Sequence, residues 1–193
     1  MTRTFIALEL DDSLRRFLND VIHQMSQQLP DLRWVDPAGI HLTLAFLGEL
    51  SDEQLAAAMQ AADAASHQVT PFELRLKEPG IFGSPRQPRV IWMGIEETSG
   101  TLTRLHGVLN RELEQRGFEV ETRPFSPHLT LARIRQPLNT SEQETLQRLL
   151  ASRQSSHSSP RQNVHELSVM KSELSRSGAR YSCLQAYPLG AIM

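Results

Sequence analysis

The chain contains the pentapeptide HLTLA twice, beginning at His41 and again at His128, 87 residues further on. Successive side chains of a β-strand point to opposite faces, so a strand with this sequence carries its histidine and threonine on one face and both leucines on the other. The leucine face predicts contact with a hydrophobic core, while the polar face presents an imidazole beside a hydroxyl. The sequence therefore predicts two equivalent strands, motif 1 (residues 41–44) and motif 2 (residues 128–131).

The segments around the two motifs follow the same predicted order of strand, helix, motif strand, helix and strand. Phe5 precedes His41 by 36 residues, and Val90 precedes His128 by 38. Besides the motif strands, predicted strands cover residues 4–10, 71–77, 90–95, 164–173 and 181–187, and predicted helices cover 12–28, 51–66, 102–116 and 141–151. Asp12 and Ser13 are expected to cap the first helix, and residues 154–162 form a serine-rich surface loop. The matching order predicts two similar halves related by a pseudo-twofold axis.

Composition sets the broad class of protein. A chain of 193 residues with 39% hydrophobic and 22% charged residues can bury one core, and its net charge of −2 gives no general attraction to nucleic acid or anionic membranes. The single cysteine, Cys183, excludes an intramolecular disulfide and a cysteine metal cluster. No stretch approaches the roughly 20 apolar residues that span a bilayer, so we expect a cytoplasmic protein. Nothing in the pattern demands a dimer, and a monomer without an obligate protein partner is expected.

Two such strands placed across a pseudo-twofold axis bring two imidazoles and two hydroxyls together. Histidine titrates near pH ~6.5, so one ring can be neutral while the other is protonated. Such a pair suits in-line displacement at phosphorus, with one histidine activating water and the other protonating the leaving oxygen. Thr43 and Thr130 can donate to the non-bridging phosphate oxygens. The residues alone leave open whether His41 or His128 is the acid.

Two simpler interpretations compete with this one. A histidine and a threonine on one strand face are common in ordinary structural strands, but two copies at matching places weaken that interpretation. Zinc binding is the second, since imidazoles are frequent ligands, yet a catalytic zinc usually takes a third protein ligand and neither motif has Asp, Glu or Cys at a suitable spacing. We therefore expect no metal and no cofactor. The remaining histidines lack the paired context and are expected to be solvated or locally hydrogen-bonded.

The segments HLTLAFLGEL and PFSPHLTLAR resemble the 2H phosphoesterase superfamily, and within it the bacterial RNA 2',3'-cyclic phosphodiesterases, also called 2'-5' RNA ligases. The resemblance extends from RTFIALEL through PRVIWMGI to GARYSCLQAYPL. It implies an α+β, bilobal fold in which two antiparallel sheets face each other across a central cleft, with helices outside. Residues 1–193 then form a single domain of two similar lobes, one around each motif.

The resemblance also implies roles for individual residues. His41 would be the proton donor to the leaving O3' and His128 the proton acceptor, and Thr43 and Thr130 would bind the substrate phosphate. The expected reaction opens a terminal 2',3'-cyclic phosphate of RNA, including tRNA fragments, to a 2'-phosphate. Alternatives that stay open are a sister phosphoesterase acting on ADP-ribose 1'',2''-cyclic phosphate or 2'-5' oligonucleotides, and a non-catalytic nucleotide-binding module.

Ligation would have to use energy already stored in the cyclic phosphate. The chain has no GxxxxGK[ST] loop, and its two lysines, Lys77 and Lys171, lie in ordinary strand contexts. Any joining would therefore be a weak, reversible attack by a 5'-hydroxyl in place of water. Secondary candidates for RNA contact are Arg180 and Tyr181. Arg133 is expected on the face opposite Thr130 unless a β-bulge intervenes, and core packing is the expected role of Phe46, Phe82 and Phe125.

Overall fold

The computed structural model describes residues 1–153, 160–175 and 178–190. Most of the serine-rich loop predicted over residues 154–162 lies outside the described residues. The last two residues of that predicted loop, Arg161 and Gln162, instead begin a strand over Arg161–Val164, which pairs with the strand that begins at Phe72. No helix in the described ranges is both long and apolar enough to cross a membrane.

The described ranges contain nine strands and four α-helices. The strands are β1 Thr2–Glu9, β2 Arg33–Trp34, β3 His41–Leu50, β4 Phe72–Ser84, β5 Gln87–Glu96, β6 His128–Arg133, β7 Arg161–Val164, β8 Glu166–Ser175 and β9 Gly178–Pro188. The helices are α1 Asp12–Ser26, α2 Asp52–Ser66, α3 Thr101–Glu114 and α4 Thr140–Ser152, and a 3₁₀ turn covers Pro37–Gly39. Every strand pairing is antiparallel, so the predicted α+β class with two antiparallel sheets is confirmed.

The two sheets are built in the same way but exchange strands between the sequence halves. One sheet has the order β3-β1-β8-β9, and the other has β2-β6-β5-β4-β7. In the four-stranded sheet, the motif strand β3 lies beside β1 of its own half, and β1 lies beside β8 of the other half. In the five-stranded sheet, the motif strand β6 lies beside β5 of its own half, and β5 lies beside β4 of the other half. The halves of the sequence are therefore interleaved in space. One large hydrophobic core joins residues from both sheets and from α1 to α4, and a small second cluster consists of Phe5, Ala7 and Met170 in the four-stranded sheet.

The helices begin at well-capped residues. Ser51 and Gln54 form a reciprocal capping box at the start of α2, as do Asn139 and Glu142 at the start of α4. The prediction for α1 is wrong by one residue, because Asp11 is the N-cap and its carboxylate accepts from the backbone N–H of Leu14 at 2.8 Å. The apolar face of α1 then enters the core through Leu14, Leu18, Val21, Ile22 and Met25.

The single strand predicted over residues 164–173 is two strands in different sheets. β7 pairs with β4 in the five-stranded sheet, and β8 pairs with β1 and β9 in the four-stranded sheet. His165 lies at the crossing between them. An uninterrupted alternation of polar and apolar residues does not reveal such a crossing, because the side-chain period continues through it.

Gly80 is required by a close contact across the β4–β5 pair. A Cβ at this position would lie 2.4 Å from the indole ring of Trp92. We expect Gly80→Ala to lower the free energy of unfolding by about 1–3 kcal/mol, since the indole must move out of a packed position. In Gly107→Ala, the matched control within α3, the added methyl meets only Arg111 at 3.9 Å and should stabilise the helix by about 0.5–1 kcal/mol. Urea denaturation of both variants measures this, and equal effects would contradict it.

Candidate active site

The two motifs have the side-chain alternation that the sequence predicts. Leu42, Leu44, Leu129 and Leu131 are each 5% exposed or less, whereas both histidines and both threonines are only partly buried. The four leucines belong to the large hydrophobic core. Each motif is therefore fixed from behind by apolar packing and presents its imidazole and hydroxyl on the other face.

A direct backbone connection holds the two motif strands near each other. β2 pairs with β6 at the edge of the five-stranded sheet, with Trp34 opposite Ala132, and the N–H of Val35 donates to the carbonyl of Leu131 at 3.0 Å. The chain then turns through Pro37–Gly39 and enters β3 at His41, in the other sheet. β3 and β6 are in contact. The active-site cleft, as we use the term, is the space bordered by the histidine–threonine faces of motifs 1 and 2.

Each histidine is oriented by a hydrogen bond from its Nδ1 to the backbone carbonyl two residues before it. The Nδ1 of His41 lies 2.8 Å from the carbonyl oxygen of Gly39, and the Nδ1 of His128 lies 2.7 Å from that of Ser126. A carbonyl oxygen only accepts, so Nδ1 carries the hydrogen in each ring. The Nε2 atom is then the nitrogen that can exchange a proton: it can accept one when the ring is neutral and donate one when the ring is charged. The two motifs thus have equivalent rings that can take opposite protonation states.

His41 is packed between aromatic rings. Phe5 stacks on it with ring centroids 4.5 Å apart, and Tyr181 meets it edge-on at 4.9 Å. Tyr181 belongs to β9, at the far edge of the four-stranded sheet from β3, so this sheet curls until its two edges approach each other. Burial by these rings lowers the pKa of His41 from its usual 6.5, while the Gly39 hydrogen bond and the charge of Glu9 oppose the shift.

His128 has a more open environment. Its ring meets Phe82 edge-on at 4.7 Å, and Phe82 itself is 36% exposed. The segment leading into motif 2 is held by a stacked pair, Phe125 on His106, with ring centroids 4.0 Å apart and planes within 9°. Because Phe125 directly precedes Ser126, this stack also fixes the carbonyl that orients His128.

A β-bulge in β6 changes the position of Arg133. Ile91 pairs with Ala132 but the next residue, Trp92, pairs with Thr130, so Leu131 is the extra residue. Leu131 and Ala132 are both fully buried, and Arg133 is exposed. Strand parity alone predicts Arg133 on the face opposite Thr130, and a β-bulge was the stated exception. The bulge reverses that parity and sets the guanidinium on the same face as His128 and Thr130.

Two of the three phenylalanines expected in the core are not there. Phe46 is 76% exposed and Phe82 is 36% exposed, so the prediction of core packing is wrong for both, whereas Phe125 is partly buried against the core. Tyr181 is 40% exposed beside His41. Arg180 pairs with Glu173 and, as the residue preceding Tyr181 in the strand, lies on the opposite face. The exposed aromatic rings therefore gather around the two histidines.

The side chains around the cleft do not form a metal site of the usual kind. Within residues 1–153, 160–175 and 178–190, no three His, Cys, Asp or Glu side chains are grouped so as to bind one metal ion. The cleft faces of motifs 1 and 2 instead carry two imidazoles, two hydroxyls and the guanidinium of Arg133, with aromatic rings around the histidines.

Comparison with known proteins identifies the family. The family model described as the 2'-5' RNA ligase superfamily matches residues 10–176. The chain belongs to this superfamily. An RNA 2',3'-cyclic phosphodiesterase of Methanothermobacter thermautotrophicus is 29% identical over 187 residues, covering 97% of this chain and 98% of the relative.

Solved structures agree with this assignment. The crystal structure of TT0787 of Thermus thermophilus matches with a TM-score of 0.77 and 26% identity over 98% of both chains. E. coli LigT complexed with 3'-AMP matches with a TM-score of 0.72 and 26% identity over 97% of this chain and 98% of LigT. The chain is accordingly a phosphoesterase of the 2H class, an enzyme that acts on phosphoric diesters.

Proposed function

We propose that this 2H phosphoesterase opens the 2',3'-cyclic phosphate at the 3' end of RNA and leaves a 2'-phosphate. The observation that supports this most is the matched pair of imidazoles, in each of which a carbonyl accepts from Nδ1 while Nε2 has no hydrogen-bond partner among the described residues. The name of the Methanothermobacter relative supports the substrate class, and the complex of E. coli LigT with 3'-AMP supports a nucleotide-binding cleft. RNA fragments with cyclic ends, tRNA fragments among them, are the proposed substrates.

In the proposed mechanism the two histidines act in a single displacement. Nε2 of neutral His128 takes a proton from water as its oxygen bonds to phosphorus, and the bond from phosphorus to O3' breaks. Nε2–H of protonated His41 gives its proton to O3', which becomes the free 3'-hydroxyl. The lowered pKa of His41 makes its protonated ring a stronger acid, and it also lowers the fraction of the free enzyme that carries this proton near neutral pH. Both protons are handled by imidazoles, so no step requires a metal ion.

The threonines and Arg133 are proposed to stabilise the charge that develops on phosphate. The hydroxyls of Thr43 and Thr130 lie on the same strand faces as the histidines and donate to non-bridging oxygens. Arg133, brought to this face by the bulge, adds a permanent positive charge. A 5'-hydroxyl that replaces water would give a 2'-5' linkage, and the abundance of water keeps this ligation weak.

The pH dependence should reveal the acid role of His41. Activity of the free enzyme requires protonated His41, whose pKa is lowered from 6.5, so kcat/KM should fall as pH rises through that lowered value. A bound phosphate anion favours the imidazolium and raises this pKa. The alkaline limb of kcat should therefore lie at higher pH than that of kcat/KM. Initial rates at saturating substrate give kcat, and initial rates at low substrate give kcat/KM, each as a function of pH. Alkaline limbs of kcat and kcat/KM that coincide would contradict the acid role of His41.

A panel of three substrates tests the proposed function against its alternatives. The protein is incubated with a short RNA ending in 2',3'-cyclic phosphate, with ADP-ribose 1'',2''-cyclic phosphate and with a 2'-5' linked oligoadenylate. We expect the RNA end to have the highest kcat/KM. Faster turnover of either other substrate would move the function to a sister phosphoesterase. Tight binding of the RNA with no product from any of the three would indicate a binding module.

A further inference from the structure

Arg33 lies directly opposite Arg133 in the β2–β6 pair. In an antiparallel pair, directly opposed residues have Cβ atoms about 5 Å apart, and like charges in that position destabilise the pairing. Both residues are exposed, and no carboxylate of the described residues lies within 4.0 Å of either guanidinium. Two unpaired arginines held face to face form a place where an anion would be stabilised.

The pair faces the active-site cleft. Trp34 packs against the core opposite the fully buried Ala132, so the preceding residue of β2 and the following residue of β6 both point away from the core. This is the face of Thr130, because of the bulge at Leu131. His128, Thr130 and Arg133 thus follow one another along β6, and Arg33 lies beside the last of them, at the outer edge of the sheet.

β2 is held rigidly enough to present this side chain. The indole N–H of Trp34 donates to the carbonyl of Leu29 at 2.8 Å, and the N–H of Val35 donates to Leu131. Asp36, the next carboxylate along the chain, is occupied in capping the turn before His41, where it accepts from the N–H of Ala38 at 2.9 Å. Arg33 is therefore the side chain of β2 that remains available to a ligand.

We propose that Arg33 binds the phosphodiester immediately upstream of the reacting nucleotide. This inference rests on the proposed function. A 2',3'-cyclic phosphate closes the 3' end of its RNA, so every other phosphate of the substrate lies on the 5' side. Arg133 is the next cleft-facing residue of β6 after Thr130 and lies roughly 6–7 Å further along the strand. The next phosphate of the RNA meets Arg33 there, beside Arg133. The planar guanidinium suits two-point binding of its non-bridging oxygens. Arg33 thereby favours oligonucleotides over mononucleosides.

Two substrates that differ by this one phosphodiester provide the test. The rates of wild type and of Arg33→Ala are compared on adenylyl-adenosine 2',3'-cyclic phosphate and on adenosine 2',3'-cyclic phosphate. We expect Arg33→Ala to lower kcat/KM about tenfold more on the dinucleotide than on the mononucleoside. For the dinucleotide, the slope of log kcat/KM against log salt concentration should also be about one smaller in magnitude than in the wild type. Arg33→Lys should recover part of the loss, and melting curves check the fold. Arg104→Ala, at an exposed position of α3, is the matched control for charge and should lose equally little on both substrates.

The outcomes separate this inference from the proposed function. Equal losses on both substrates, or no loss on either, would overturn the assignment of Arg33 while the enzyme's activity stands. A wild-type protein that opens neither cyclic phosphate would overturn the proposed function, and the Arg33 assignment with it.

Discussion

His128→Ala is expected to lower kcat/KM for an RNA 2',3'-cyclic phosphate by about 10³-fold, because the attacking water loses its general base. The protein should stay folded, since the imidazole makes one hydrogen bond, to the carbonyl of Ser126, and an edge contact with Phe82 at a partly exposed position. His41→Gln should cause a similar loss by removing the acid. Glutamine is chosen because His41 fills a space between Phe5 and Tyr181. Single-turnover rates with excess enzyme measure both effects.

Two controls make this result specific to the imidazole. His23→Ala removes an exposed histidine of α1 and should leave the rate unchanged. Added imidazole should restore part of the activity of His128→Ala, since the open environment of His128 admits a small base. Retention of more than about a tenth of the wild-type rate by either motif variant would contradict the acid–base assignment.

Thr43→Val and Thr130→Val are each expected to lower kcat by about 10²-fold, because a hydroxyl that donates to the developing charge on phosphate is replaced by a methyl. KM should change much less, since the interaction strengthens in the transition state. Valine matches the shape of threonine and is favoured in strands, so the motif strands should persist. Steady-state kinetics on an RNA with a cyclic end separates the two parameters.

Serine at the same positions is the matched comparison. Thr43→Ser and Thr130→Ser keep the hydroxyl and should retain most of kcat. Wild-type kcat in both valine variants would show that the hydroxyls do not contact the phosphate. A loss confined to KM would assign them to ground-state binding only.

Local alternation let the sequence predict the environment of the motifs. The two leucines of each motif are buried and the histidines and threonines are on the other face, because parity along a strand depends only on neighbouring residues. The order of elements in the two halves also followed from the sequence, as did the extent of α2, which is predicted over residues 51–66 and observed over Asp52–Ser66. These features depend on interactions within about one turn or one strand.

The features that the sequence did not reveal depend on pairing between distant strands. β-bulges occur at Leu44 and Leu47 of β3 and at Leu131 of β6, and they arise from register with β1 and β5. The bulge at Leu131 is what moves Arg133 into the cleft. The exchange of β4 and β8 between the sheets likewise has no local signal, and neither does the change of sheet at His165.

The exposure of Phe46 and Phe82 also depends on pairing between distant strands. Apolar rings are usually buried, so core packing was the natural expectation for Phe46 and Phe82. Both motif strands present a polar face to the cleft, however, and these rings lie on that side, near Phe5 and His128. Recognising them would have required the register of β3 and of β4, in addition to their hydrophobicity.

The proposed two-histidine mechanism can be tested by incubating the protein with a short RNA ending in 2',3'-cyclic phosphate, in excess EDTA, and determining the position of the phosphate at the product end. Two-histidine catalysis with O3' leaving predicts a 2'-phosphate, formed at the same rate with and without the chelator. A 3'-phosphate product, or loss of activity in EDTA that added metal restores, would contradict the account.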